Sequence, residues 1–444
     1  MSTASPPLLT LASCTGTLTR GTDSATIPFS LSVARDGRVT IVCATQPLGR
    51  MNAWLYEDPF PSARLAPPCS LRAQGPNGTM ITGEVHLTNV DRRITGSATT
   101  LDVRAEATPL RVGYPTPAPE PGAGHTLEYK TTGMHGYGLA VAPTSLGLLS
   151  ITGTPAAITD YSELHGALRL RTDTPPLDWV EKADALARDV LNVFSLAQGH
   201  LIRWSIREYY RGTNLAEVLC SGPHLTSSPY EPLFSHLDPQ PLLDLAARAY
   251  TSGRSKSTGV PVALEWFLMN PPYAEMKVVA ASTALEHLVA THSSKKGNTI
   301  IPTKMFTEHF LPVLRGAFDT VVWDQLLEAT TATQLAELRN KLSSLNYNSF
   351  GARLENMLTE YAVPTWGLED AIQEVIKLRN RIVHQGLTSS TPEELIRLVA
   401  VVRELLKRLF LTLLDYKGQY QSFLDGPHWV PFPPVESTAV AQPA

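Results

Sequence analysis

TPPLDWVEKADALARDVLNVFSLAQG, residues 174–199, is where the period of the chain changes. Its apolar residues recur at helical spacing, with Thr174 as a candidate N-cap, Pro175 as the expected first helical residue and Gly199 as the stop. Upstream, short runs alternate apolar and polar residues between Gly and Pro. GRVTIVC (37–43), GTMITGEVHLT (78–88), RRITGSATTLDVRAEA (92–107) and GLAVAP (138–143) are of this kind. Such alternation predicts antiparallel strands in a sandwich or a barrel. GYPTPAPEPGAG (113–124) reads as a linker or long loop inside that region. Downstream, HLIRWSIREYYRG (200–212) reads as a strand and is followed by a Pro-rich loop through Pro241. Helical patterns then cover 241–252, 261–269, 273–292, 303–317, 333–343, 349–361, 367–385 and 392–416. The expected organisation is an α+β multidomain chain. A β-rich N-terminal domain (1–175) leads into a mixed middle segment (176–255), an all-α helical bundle (256–425) and a Pro-rich tail (426–444).

Composition narrows the function classes. The 444 residues are 43% hydrophobic, enough for ordinary buried cores, and the net charge of -4 leaves nucleic-acid contact to a local patch. Cys14, Cys43, Cys69 and Cys220 have no CxxC spacing, so reduced thiols in a cytoplasmic protein are expected, with no metal and no cofactor. Leu11-Ala12-Ser13-Cys14 imitates a lipoprotein cleavage site, but no Lys or Arg precedes it. GRSKSTG (253–259) lacks phosphate-loop spacing and reads as a basic loop. The apolar stretch 395–414 carries Arg397, Arg403, Glu404, Lys407 and Arg408, which argues against a membrane span and for an amphipathic helix.

The sharp signal is RNRIVHQG (379–386). On a helix over 367–385, Leu368, Ile372, Val375, Ile382 and Val383 share one face, with Ala371, Ile376 and Leu378 at its margins. Arg379 falls near the centre of that face, where an unpaired guanidinium would cost several kcal/mol. It therefore needs an anion, a carboxylate or a wet cleft. Asn380 and His384 are helical neighbours, whereas Arg379 and His384 lie about 140° apart. They meet on one target only if the last turn distorts or a second subunit completes the site. Gly386 offers the helix stop. The bare RxxxxH spacing is common by chance, and Asn directly after Arg makes it rare.

Arg379-Asn380-Arg381-Ile382-Val383-His384 resembles the RNxxxH form of the RxxxxH motif of HEPN domains, helical modules many of which are metal-independent endoribonucleases. LRNRIVHQG (378–386) and ASTALEHLV (281–289) resemble the HEPN domain of ApeA-type anti-phage defence proteins in particular. The resemblance covers roughly 260–425. It implies that His384 is the general acid/base at the ribose 2′-OH or the leaving oxygen. It further implies that Arg379 holds the scissile phosphate, and that Asn380 orients the histidine or bonds the phosphate. Cleavage would run through the 2′-OH and leave a cyclic phosphate. The implied partners are RNA, with tRNA a candidate, a second copy through the HEPN domain and a phage-derived trigger.

Five further positions bear on the motif. Glu286 either pairs with Arg379 or is an exposed helix residue. Arg381 and Lys377 either support the RNA backbone or are simply solvated, and His287 and His292 read as surface residues. Across 367–417 the basic residues outnumber the acidic by one, which favours gated cleavage over a general RNA-binding surface. The expected function is an abortive-infection ribonuclease with the β region as sensor. The competing readings are a non-catalytic HEPN module for dimerisation or for nucleotide or protein binding, and a carbohydrate- or peptide-binding β protein with an unrelated helical domain.

Overall fold

The computed structural model describes residues 7–43, 46–47, 68–95, 98–116, 122–134, 138–153, 164–222, 231–234, 239–253, 257–322, 331–385 and 391–433. For 46–47, 87–95, 98–104, 321–322 and 382–385 the description is of the backbone. The chain divides into two compact units, Met1–Gly253 and Arg254–Ala444. The centre of the 113–124 loop, part of the basic loop at 253–259, Gly386 and the end of the Pro-rich tail lie outside the described residues.

Alternation builds the first unit. In β2 (Asp23–Val33), Ala25, Ile27, Phe29, Leu31 and Val33 are buried, and in β3 (Val39–Cys43) so are Val39, Ile41 and Cys43. β1 (Leu9–Arg20) turns Cys14 and Leu18 to the same core, so the cysteine that imitates a cleavage site is a core residue. A register shift between Leu11 and Cys14, with Ser13 at φ 59°, rotates this strand onto that face. β4 (Gln46–Pro47), β5 (Cys69–Gln74), β6 (Met80–Thr95) and β7 (Ala98–Gly113) follow, so 92–107 is two strands of one hairpin. The order β3-β2-β1-β5-β6-β7 closes because β7 also pairs with β3, giving an antiparallel barrel. Gly16 sits opposite Ala73, and a Cβ on it would collide with the Ala73 methyl group, so the close β1–β5 contact needs glycine.

Beyond Thr108-Pro109, β7 exchanges its β3 neighbour for β13. Proline has no N–H for the ladder, which suits it to such a break. The sheet continues through β13 (Asn214–Cys220), β12 (Arg203–Arg211), β8 (His125–Thr132), β11 (Leu164–Thr172), β10 (Gly147–Gly153) and β9 (Ala140–Thr144). Of the segment 176–255, read as a mixed middle piece, the part up to Gly253 falls within the N-terminal unit, and the loop expected after 212 contains strand β13. Helix α1 starts at Trp179 and not at Pro175. Pro176 disfavours helical geometry at Pro175, and the Trp179 indole N–H donates to the Leu146 carbonyl at 2.8 Å. Gly199 caps α1 (Trp179–Gln198) in the left-handed region, as expected from the sequence. α2 (Pro239–Thr251) packs on α1 and β9.

The second unit is helical: α3 (Val260–Phe267), α4 (Ala274–Lys296), α5 (Leu311–Ala317), α6 (Ala332–Lys341), α7 (Phe350–Glu360), α8 (Glu369–Gln385) and α9 (Pro392–Leu413). Wide π turns at Phe306–Phe310 and Phe318–Val322 flank α5. The last helix departs from a simple amphipathic pattern. Val401 to Leu411 is buried at every position, including Arg403, Glu404, Lys407 and Arg408. The charges are satisfied by other parts of the unit. Arg408 Nε donates to Glu404 Oε1 at 3.0 Å and its Nη1 to the Trp366 carbonyl at 2.9 Å, while Ser422 Oγ donates to Glu404 Oε2 at 2.9 Å. Tyr420 also donates its hydroxyl to Glu404 Oε1, and Arg403 Nη1 reaches the Phe267 carbonyl at 2.7 Å. Burial first, and then the Glu404 charge, push the Tyr420 phenol well above its usual range. The expected tail from 426 begins inside a hairpin, β14 (Gly418–Ser422) with β15 (His428–Phe432), because Val430 and Phe432 turn inward. Among the described residues no helix is long and apolar enough to cross a membrane.

Candidate active site

The site rests on α8 and α4. Leu368 just before α8, and Ile372, Val375 and Leu378 on it, are buried, so the apolar face falls where the sequence places it. Arg379 lies on that face with its side chain 18% exposed, because its length carries the guanidinium out along the seam to Glu286 of α4. Nε of Arg379 donates to Glu286 Oε1, and Nη1 donates to Asn380 Oδ1 at 3.0 Å. The Phe350 ring at the start of α7 lies 5.1 Å from the guanidinium carbon, a cation–π distance.

The misplaced arginine thus has its carboxylate. Of the two readings of Glu286, the paired one holds in this structure. A guanidinium has five N–H donors. The bonds to Glu286 and Asn380 orient the plane and use two of these donors, and the side chain as a whole is 18% exposed. Asn380 is exposed beside it, Lys377 is exposed and Arg381 is half-buried.

His384 lies in the final turn of α8, and its side chain is outside the description. The backbone runs as helix through Gln385, so no helical break brings position 384 round toward position 379. On an unbroken helix the two positions stay about 140° apart and ~7.5 Å apart along the axis.

One further cluster escaped the sequence reading. His292, expected at the surface, is 5% exposed. Its Nε2 contacts Glu360 Oε2 at 2.9 Å, its ring packs edge-on to Tyr361, and Lys296 Nζ lies 2.5 Å from Glu360 Oε1. Lys296 and then His292 hold the Glu360 carboxyl below its usual range. Helical phase put His292 on α4 but gave no sign that Glu360, 68 residues later, would reach it. Among the described residues no group of three or more His, Cys, Asp or Glu is placed to hold a metal ion. Comparison with protein-family models, characterised proteins and solved structures returns no match, so a functional reading has to stand on the residues and their geometry.

Proposed function

We propose that the helical unit is a HEPN-type, metal-independent endoribonuclease and that the chain acts as an abortive-infection effector against phage. The observation that carries the reading is the cation on the apolar face of α8: Arg379 is anchored by Glu286, bonded to Asn380 and still partly open to solvent. That arrangement suits a phosphate, because the guanidinium is held in one orientation while its side chain remains partly exposed. His384, five residues on, supplies the proton transfer. In this reading two copies pair through the helical unit, so that Arg379 and Asn380 of one copy serve the same phosphodiester as His384 of the other. The barrel unit senses the trigger and holds the nuclease inactive before infection.

The test is incubation of the full-length protein with tRNA and with total RNA in chelator, with extract of infected cells added as the source of the trigger, comparing wild type with Arg379→Gln. Growth arrest of infected cells is scored in parallel, because infection provides the trigger. The expected result is fragment accumulation and growth arrest with wild type alone. Identical RNA patterns in infected cells carrying either protein would contradict the proposal.

The Glu286–Arg379–Phe350 contacts also support a second reading, in which the pair only locks α8 to α4 and α7 in a non-catalytic binding or dimerisation module. Its distinguishing result is that His384→Ala keeps full biological activity while Arg379→Gln loses it through instability.

A further inference from the structure

At one end the sheet of the first unit closes on itself through β3 and β7, and at the other it ends, among the described residues, at β9. β9 pairs with β10 in the register Val141 opposite Ser150 and Pro143 opposite Leu148. Val141 turns both of its backbone groups away from β10. Its N–H donates to Gln240 Oε1 at 3.0 Å, and its carbonyl accepts from Gln240 Nε2 at 2.8 Å. Backbone groups alternate in direction along an antiparallel strand, so Pro143 faces outward too, and proline has no N–H to offer. Within Ala140–Thr144 the outer side therefore presents a single N–H donor, on Val141, and Gln240 holds it.

Gln240 stands in for a neighbouring strand. Its carboxamide has the donor and acceptor of a peptide group, and it makes with Val141 the two bonds that a paired residue makes. Asp244, one turn further along α2, accepts from the same Nε2 at 3.0 Å. That contact fixes which way round the amide lies, because a flipped amide would set its oxygen against the Val141 carbonyl and the Asp244 carboxylate. Pro239 and Pro241 stiffen the backbone on either side of Gln240. The helix itself is anchored elsewhere, with Leu242, Leu243 and Ala246 buried and its packing against α1. The side chains at the edge are apolar. Leu139, Val141 and Leu148 are 69%, 37% and 51% exposed, and the register puts Val141, Pro143 and Leu148 on one face. An apolar edge of this kind is a template for another strand unless something covers it.

We propose that the edge of β9 is a pairing surface for the β9 edge of a second copy of this chain, and that Gln240 holds it shut. The edge is self-complementary about a two-fold axis at Val141. Across that axis each Val141 N–H meets the other copy's Val141 carbonyl, and each Leu139 N–H meets the other's Pro143 carbonyl. The two Val141 bonds are the ones that Gln240 makes in the closed form, so pairing and the Gln240 contact exclude each other. A shift in the first turn of α2 that withdraws the amide opens the surface. The inference concerns the first unit alone and stands whether or not the Arg379-Asn380-His384 motif cleaves RNA.

Sedimentation velocity on the full-length protein over a concentration series tests it, with hydrogen exchange at Val141 followed in parallel. Gln240→Ala should raise self-association above that of wild type by about tenfold or more, the scale of two hydrogen bonds exposed for pairing. Exchange at Val141 should quicken in this variant at the lowest concentration and slow again as the concentration rises. Asp244→Ala, which frees the amide to turn over, should raise self-association about threefold and serves if Gln240→Ala does not fold. Val141→Pro added to Gln240→Ala removes the outward donor without costing a bond to β10, and should return the mass to that of wild type. Wild-type mass in folded Gln240→Ala, or in Asp244→Ala where the former does not fold, overturns the proposal. Association that persists when Val141→Pro is added places the contact elsewhere and equally overturns it.

Discussion

His384→Ala is expected to lower RNA cleavage by the triggered protein about 10²- to 10⁴-fold, the usual contribution of a positioned general acid/base. This substitution is a cleaner test than one at Arg379. Removing the guanidinium would leave Glu286 and Asn380 without their partner and disturb the α4–α8 seam. His384 lies one residue before the end of α8, where losing one side chain costs the helix little. Cleavage rates of both proteins, measured on one RNA with thermal unfolding followed in parallel, check the expectation. A variant that folds like wild type and cleaves at the wild-type rate contradicts the assignment of the proton-transfer role.

Glu404→Ala is expected to destabilise the helical unit by about 3–5 kcal/mol, the cost of breaking a buried charge pair from one side. Glu404 is 1% exposed, and its two oxygens take hydrogen bonds from Arg408, Tyr420 and Ser422. Its loss strands a buried guanidinium and releases both hydroxyls of β14, so α9 and the hairpin β14–β15 loosen together. Hydrogen exchange on peptides from α9 should show protection falling by about two to four orders of magnitude, since 1.36 kcal/mol is tenfold. Ile396→Ala, 63% exposed on the same helix, should change it by less than threefold. Equal protection in Glu404→Ala and wild type would mean that this network does not hold the unit together.

The helices after 260 were legible from the helical spacing of their apolar residues, and the structure adds side-chain caps that the spacing did not show. The Thr331 and Ser349 hydroxyls accept the backbone N–H three residues on, as does Thr391 ahead of Pro392. The barrel was legible only as inward alternation. Period 2 says which face of β3 is buried, but not that β3 and β7 meet and close the ring. Strand β13 was missed because NLAEVLC is short, and its pairing with β12 on one side and β7 on the other is non-local. The charges of α9 were misread because a helical wheel assigns solvent to charge by default. Their partners at Phe267, Trp366, Tyr420 and Ser422 come from other segments of the chain. Arg379 was conspicuous for the converse reason: phase alone places a cation among Leu368, Ile372 and Val375, so something had to pair with it. That the partner is Glu286, 93 residues earlier, required the fold.

The central claim is attack on phosphorus by the ribose 2′-OH without a metal. Its most direct measurement uses an RNA cut by the triggered protein in excess chelator, resynthesised with a single 2′-deoxynucleotide on the 5′ side of the scissile bond. The account predicts no cleavage at the substituted bond, and a 2′,3′-cyclic phosphate on the upstream product of the ordinary RNA. Cleavage at the deoxynucleotide, or an upstream product ending in a free 3′-hydroxyl, would contradict it.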